Sequence, residues 1–185
     1  MANHVCPWWL GYLLTCPLRR YLQDPTKILY PYVREGMTVL EPGPGMGFFT
    51  LELARRVGPA GRVIAVDIQP KMIAGLKRRL ARAGVLDRVD VRLGRSDSMG
   101  IDDLAGTVDF ILAAAVVHEL PPATPFFAEA AQAAKLGATM LFLEPAGHVQ
   151  EDKLQEELSE AAAAGFVVAD RPTIRRSHAA VLRRV

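Results

Sequence analysis

Apolar and polar positions along this chain alternate between short apolar runs and stretches with a helical repeat. The run R-V-I-A-V-D-I at 62–68 is rich in β-branched residues, as in a strand covered on both faces. Further strands are predicted at 37–40, 88–93, 108–114 and 139–143. Between them the pattern predicts helices at 49–57, from Pro70 to the stop at Gly84, and from Thr124-Pro125 to about residue 136. In the second of these, Ile73, Leu76, Leu80 and Ala83 fall at helical spacing. The polar stretch 94–106 reads as loop with at most one helical turn. Glu151 and Asp152 suit the first turn of a later helix, which Gly165 ends. The runs at 166–169 and 179–183 are too close for a crossover helix, so an antiparallel hairpin is expected. Near the start, Asp24-Pro25 supplies an N-cap and first-turn proline for a short helix that Pro31 stops near Tyr30.

This order predicts an α/β chain, doubly wound, with a seven-stranded and mostly parallel sheet and an antiparallel C-terminal strand. Ligands of such sheets bind at the carboxyl ends of the strands. One domain is expected, divided into an N-terminal cap or lid (1–36), a cofactor-binding core (37–145), and a C-terminal helix with the closing hairpin (146–185).

Composition changes little in this picture. The chain has 185 residues, half of them apolar and 23% charged, ordinary for a globular protein. A net charge of +2 gives no reason to expect nucleic acid, although arginines cluster at 19–20, 78–82 and 183–184. The apolar segment 5–16 is interrupted by Pro and Gly and is shorter than the roughly 20 residues a membrane helix needs, so no membrane association is expected. With no secretory signal and only Cys6 and Cys16, a cytoplasmic setting without a disulfide is expected. His4, Cys6 and Cys16 lack metal-ligand spacing, and no metal is expected.

The chemistry concentrates in Val39-Leu40-Glu41-Pro42-Gly43-Pro44-Gly45-Met46-Gly47-Phe48. A strand leads through an acidic residue and three alternating glycines into a helix. Glycine has no Cβ and accepts φ > 0, so a ligand can approach the main chain closely. The helix points its free N–H groups at the same spot. A dinucleotide fingerprint, G-x-G-x-x-G, needs glycine at position 48, where Phe48 stands, which argues against a nicotinamide-dependent oxidoreductase. The spacing E-x-G-x-G-x-G, with Asp67 at the end of the second strand, resembles motifs I and II of the class I S-adenosylmethionine-dependent methyltransferases, over roughly 37–145. Together with C-P-W-W-L near the start, it also resembles a group of small microbial methyltransferase-domain proteins.

The resemblance implies a Rossmann-like sheet, S-adenosylmethionine as cofactor and S-adenosylhomocysteine as product. It implies that Glu41 accepts from the ligand's amino group or a water held against it. Gly43, Gly45 and Gly47, with Phe49 beside them, would line the methionine portion and ribose. Asp67 would hold the ribose hydroxyls and Ile68 would pack on adenine. Ser96 and Asp97 would meet the adenine amino group, with Ala115 and Val116 opposite the glycine turn. Two departures stand out: Leu136-Gly137-Ala138 replaces the common Pro-Gly-Gly, and Glu rather than Asp opens the first motif.

For the acceptor, candidate general bases are His118 and Glu119 after the fourth strand and Glu144 and His148 after the fifth. His118 could equally pack against the sheet edge or cap the next helix. Trp8, Trp9 and Tyr12 would enclose an acceptor, or else anchor the cap as core. Ala113-Ala114-Ala115-Val116 stands where methyltransferases of nucleic-acid amines carry [NDS]-P-P-[YF], and Pro121-Pro122 comes too late. That favours a small-molecule acceptor over nucleic acid. Open alternatives are a protein or metalloid acceptor, and a binding module without catalysis. An exposed aromatic cap would also allow a homodimer.

Overall fold

The apolar runs assemble into one sheet in the computed structural model, which describes residues 23–120 and 123–185. In chain order the elements are α1 (Pro25–Leu29), β1 (Thr38–Pro42), α2 (Thr50–Arg56), β2 (Arg62–Asp67), α3 (Pro70–Arg82) and β3 (Val89–Leu93). There follow β4 (Val108–Ala114), α4 (Thr124–Ala133), β5 (Ala134–Pro145), α5 (Glu151–Ala163), β6 (Phe166–Asp170) and β7 (Ser177–Arg184). The sheet among the described residues has seven strands in the order β3-β2-β1-β4-β5-β7-β6. The first five pair in parallel, and β7 lies antiparallel between β5 and β6. This is the Rossmann-like, doubly wound arrangement expected, closing hairpin included.

Both faces of the sheet are covered, which is why its inner strands read as continuous apolar runs. Neighbouring residues of β1 serve opposite layers. Leu40 packs with Ile64, Ile111 and Phe142 and with Phe127 and Leu158 of α4 and α5. Val39 joins Val63 and Phe110 and the helix residues Leu29, Leu53 and Leu76 of the other layer. Each such fully buried side chain contributes about 1.5–3 kcal/mol by leaving water. The first helix forms as its sequence predicts: Asp24 Oδ1 accepts the Thr26 N–H at 3.0 Å, with Pro25 in the first turn.

Most element edges fall within two residues of the sequence pattern, and three differences have an identifiable cause. β1 starts at Thr38 and runs on through Glu41 and Pro42, because parallel pairing to β2 continues to Pro42 opposite Val66. Arg88 belongs to a 3₁₀ turn, Leu86–Arg88, that precedes β3. The largest difference is at α4, which ends at Ala133 rather than near Leu136. Thr107 donates to Ala133 O at 3.0 Å and Val108 pairs with Ala134, drawing the chain into β5. Leu136 looks like a helix-face residue in sequence but stands 80% exposed. The 94–106 loop contains one 3₁₀ turn, Asp102–Leu104.

At β1 the connections diverge: the chain leaves toward β2 on one side and reaches β4 on the other. The carboxyl ends of β1 and β4 therefore flank a crevice at the point where strand order reverses. The proposed cap residues Trp8, Trp9 and Tyr12, with His4, Cys6 and Cys16, lie outside the described residues, as do Pro121 and Pro122. Among the described residues, no helix is long and apolar enough to cross a membrane.

Candidate functional site

Three glycines reverse the chain between β1 and α2, and each has left-handed backbone: φ is +64° at Gly43, +54° at Gly45 and +84° at Gly47. Their surroundings differ. A Cβ on Gly43 would lie 2.8 Å from Val116 Cγ2, so the segment after β4 closes down on the turn. Gly45 has open space beside it and donates its N–H to Asp67 Oδ2 at 3.2 Å. Gly47 faces inward instead, where a Cβ would lie 2.6 Å from Leu76 Cδ1 of α3.

The crevice is a cleft of about 770 Å³. Glu41, Gly43, Gly45 and Phe49 form one wall, with Asp67 and Ile68 beside them. Ser96 and Asp97 come from the loop after β3, and Ala115 and Val116 from the end of β4. Gly47 is not part of the wall. Lining residues that the sequence reading did not assign to the site include Phe48, Met72, Met99 and Phe126. Phe48 stands next to the motif, and Met72 in the first turn of α3 could have been placed there. Met99 lies in a loop without periodicity and carried no signal.

Two carboxylates at the base of the cleft are almost fully buried. Glu41 is 3% exposed, and its Oε2 has no hydrogen-bond partner. Burial pushes its carboxyl up to about 8, with the negative Asp67 adding to the shift. Asp67 accepts the Gln69 N–H through Oδ1 at 2.8 Å, besides the Gly45 bond through Oδ2. Burial raises its pKa and these backbone donors partly oppose the rise. Asp97 is exposed, and the guanidinium of Arg95 grips both its oxygens at 2.9 and 3.2 Å, holding its pKa below the usual carboxylate value. Ala115 has φ +56°, a strained conformation for a non-glycine residue, with its N–H 2.7 Å from Leu143 O.

The four candidate bases separate into two pairs. Glu119 and His148 stand on the cleft wall. His118 and Glu144 do not; they bind each other, with His118 Nδ1 donating to Glu144 Oε2 at 2.5 Å. Glu144 is fully buried, and its Oε1 accepts the Val117 N–H at 3.0 Å. It therefore ties the 3₁₀ turn Val117–Glu119, just after Val116, to β5. The His118–Glu144 hydrogen bond is the main cause that raises the His118 pKa. Behind the pair lies Glu157 of α5, fully buried, with neither carboxylate oxygen hydrogen-bonded. Burial first, then the charge of Glu144, push Glu157 up to about 7. Sequence reasoning missed Glu157, although it interrupts the buried stripe Leu154, Leu158, Ala161 at helical spacing. Among the described residues, no cluster of three or more His, Cys, Asp or Glu is arranged to hold a metal ion.

The family profile described as "Methyltransferase domain" matches residues 39–137. Over 56 residues the chain is 50% identical to a catechol O-methyltransferase of Mycobacterium tuberculosis, a match covering 30% of this chain and 26% of that one. A ribosomal protein L11 methyltransferase of Pelotomaculum thermopropionicum is 31% identical over 145 residues, 78% of this chain and 43% of the relative. The chain thus spans less than half the length of these curated relatives. The crystal structure of a SAM-dependent methyltransferase from Aquifex aeolicus superposes with a TM-score of 0.85 at 26% identity, covering 97% of this chain and 98% of that one.

Proposed function

This chain belongs to the methyltransferase-domain family, and from that premise we propose that it transfers the methyl group of S-adenosylmethionine to a small-molecule acceptor. The observation that carries the reading is the base of the cleft. There the glycine turn brings the buried Glu41, whose Oε2 lacks a partner, within one wall of Asp67. These residues fit the donor: Glu41 offers an unmatched oxygen to a cationic amino group, and Gly43 and Gly45 leave the main chain open. Asp67 would take the ribose hydroxyls and Ile68, 38% exposed on the wall, the adenine. When bound, the donor supplies a methyl group already activated by its sulfonium. The protein then has to align the acceptor, exclude water and accept a proton where the acceptor must lose one. Alignment can supply about 7–11 kcal/mol of barrier lowering at best.

Glu119 and His148 are our assignments for the proton, because both stand on the wall. His118 and Glu144 act through the turn they hold. The relatives' names cover a small phenolic acceptor and a ribosomal protein; a small molecule is our choice over nucleic acid because Ala113-Ala114-Ala115-Val116 replaces the nucleic-acid motif after β4, and a protein acceptor is the alternative reading. The division into cap (1–36), core (37–145) and closing segment (146–185), and a cytoplasmic setting, belong to the same proposal.

The test is calorimetric titration with S-adenosylmethionine and S-adenosylhomocysteine, followed by label transfer from methyl-labelled donor into a metabolite extract. Asp67→Ala removes a charged acceptor and should weaken binding by about 1.5–3 kcal/mol, roughly 10- to 150-fold. No heat with either ligand sinks the proposal. Binding without transfer to any acceptor replaces it with the non-catalytic module.

A further inference from the structure

The charged groups in and near the cleft are unevenly matched. Arg95 is held by Asp97, while Arg171 and His178, on either side of the β6–β7 turn, both approach the carboxylate of Glu151. Arg176 lines the cleft together with His148 and Ser177, is exposed, and forms no ion pair with any described residue. Its backbone is unusual as well. Ser177 N–H donates to Ile174 O at 3.1 Å, closing a turn that places Arg176 at its third position with φ +60°. Turns that need φ > 0 there take Gly or Asn by preference.

Three further contacts fix this conformation. Ala146 N–H donates to Arg176 O at 3.1 Å, anchoring the turn to the end of β5. Gln23 Nε2 donates to Arg175 O at 3.3 Å and to Ser177 Oγ at 2.8 Å, clamping the residues on both sides. Among the described non-glycine residues, positive φ occurs at Ala115 and Arg176, and both are on the cleft wall. A long cationic side chain is thus held in a strained turn at the end of the cleft away from the adenine-side residues Ser96 and Asp97.

From this we propose that Arg176 binds an anionic group on the methyl acceptor, a carboxylate or a phosphate, and so selects an acidic small molecule. The proposal rests on the methyl-donor reading of the same cleft. A guanidinium presents paired N–H donors in a planar fork that matches either group bidentately. Its charge, on the same wall as His148 and Ser177, would orient the acceptor as well as retain it. Arg176 is a specificity residue in this scheme and takes no part in proton transfer.

The experiment separates the two readings. Binding of S-adenosylhomocysteine is measured first; its failure removes the methyl-donor reading itself. The saturated complex is then titrated with benzoate, phenyl phosphate and neutral benzamide. One of the two anions is expected to bind at least tenfold more tightly than benzamide, and which one it is identifies the group. Arg176→Asn, which tolerates the left-handed turn, should abolish that preference, and Arg176→Lys should keep part of it. If Arg176→Asn loses S-adenosylhomocysteine binding, Arg176→Gly, equally at ease with positive φ, serves for the same comparison. Equal binding of all three probes, or a preference that survives loss of the arginine, overturns the assignment while leaving the donor reading intact.

Discussion

Removing the charge of Glu41 tests the donor site through pH. Its carboxyl moves from an ordinary 4.5 to about 8, chiefly by burial. In the free protein at pH 6 it is therefore protonated, about 1% ionised, and near pH 9 it is about 90% ionised. A ligand carrying a positive amino group favours the ionised form. Its apparent affinity must rise with pH until the carboxyl has lost its proton, and then level off. If binding required full ionisation, the gain from pH 6 to 9 would be roughly 100-fold, about 2.7 kcal/mol. Partial compensation by water at Oε2 lowers this, so about 10- to 100-fold is the expected range.

Stability of the free protein runs the other way. A raised carboxyl keeps its proton in the folded state between 4.5 and about 8 while the unfolded chain has lost it, so stability falls as pH rises through that window. Glu41→Gln is neutral throughout and should show neither slope from this site. The assay is calorimetric titration with S-adenosylhomocysteine at several pH values for both proteins. Taking the ratio of their affinities cancels titration of the ligand's own amino group. Parallel pH profiles for wild type and Glu41→Gln would refute both the buried charge and its role toward the ligand.

Two further substitutions probe the scaffold. Gly47→Ala meets left-handed backbone at φ +84° and Leu76 Cδ1 at 2.6 Å, so urea denaturation should show a loss of about 2–4 kcal/mol from strain plus overpacking; a loss below about 0.5 kcal/mol contradicts the assigned packing role. Glu157→Leu removes a buried carboxyl raised from 4.5 to about 7, whose penalty is absent below 4.5 and grows to its full size above 7. The variant should therefore gain stability relative to wild type by about 2.5 kcal/mol between pH 5 and 8, and a pH-independent difference between the two would show that Glu157 does not titrate in that range.

The sheet was legible because its inner strands are covered on both sides and carry unbroken apolar runs, such as 63–66 and 110–114, with their charged residues near the strand ends. Elements failed to read where a partner from elsewhere decided the conformation. Ala134 to Leu136 look helical in isolation, yet hydrogen bonds from Gly106 and Thr107 to Gln132 and Ala133 end the helix before them. The donor side of the cleft was legible for a different reason. Backbone at glycines builds it, and glycines at fixed spacing are visible in sequence. Even so, spacing alone did not distinguish Gly45, which borders the cleft, from Gly47, which makes room for Leu76. Arg176 carried no signal, because a strained turn is invisible until Ser177 is seen bonded to Ile174.

The buried polar residues extend this contrast between the two halves of the cleft. Glu144 spends one oxygen on the Val117 N–H and the other on His118, so the segment bearing Val116 and Glu119 is fixed by a side chain of β5. Its register is set in turn by β7, where Glu144 lies opposite His178 and Pro145 opposite Ser177. The same pairing positions the turn that carries Arg176. Both walls of the proposed acceptor side therefore depend on residues 144–178, well beyond the glycine motif. An acidic residue that is fully buried beneath a site, in two hydrogen bonds to one short turn, resists replacement because either bond lost leaves a charge or an N–H without a partner. The acceptor side can thus change its exposed residues, such as Arg176 and His148, while the frame beneath them stays fixed.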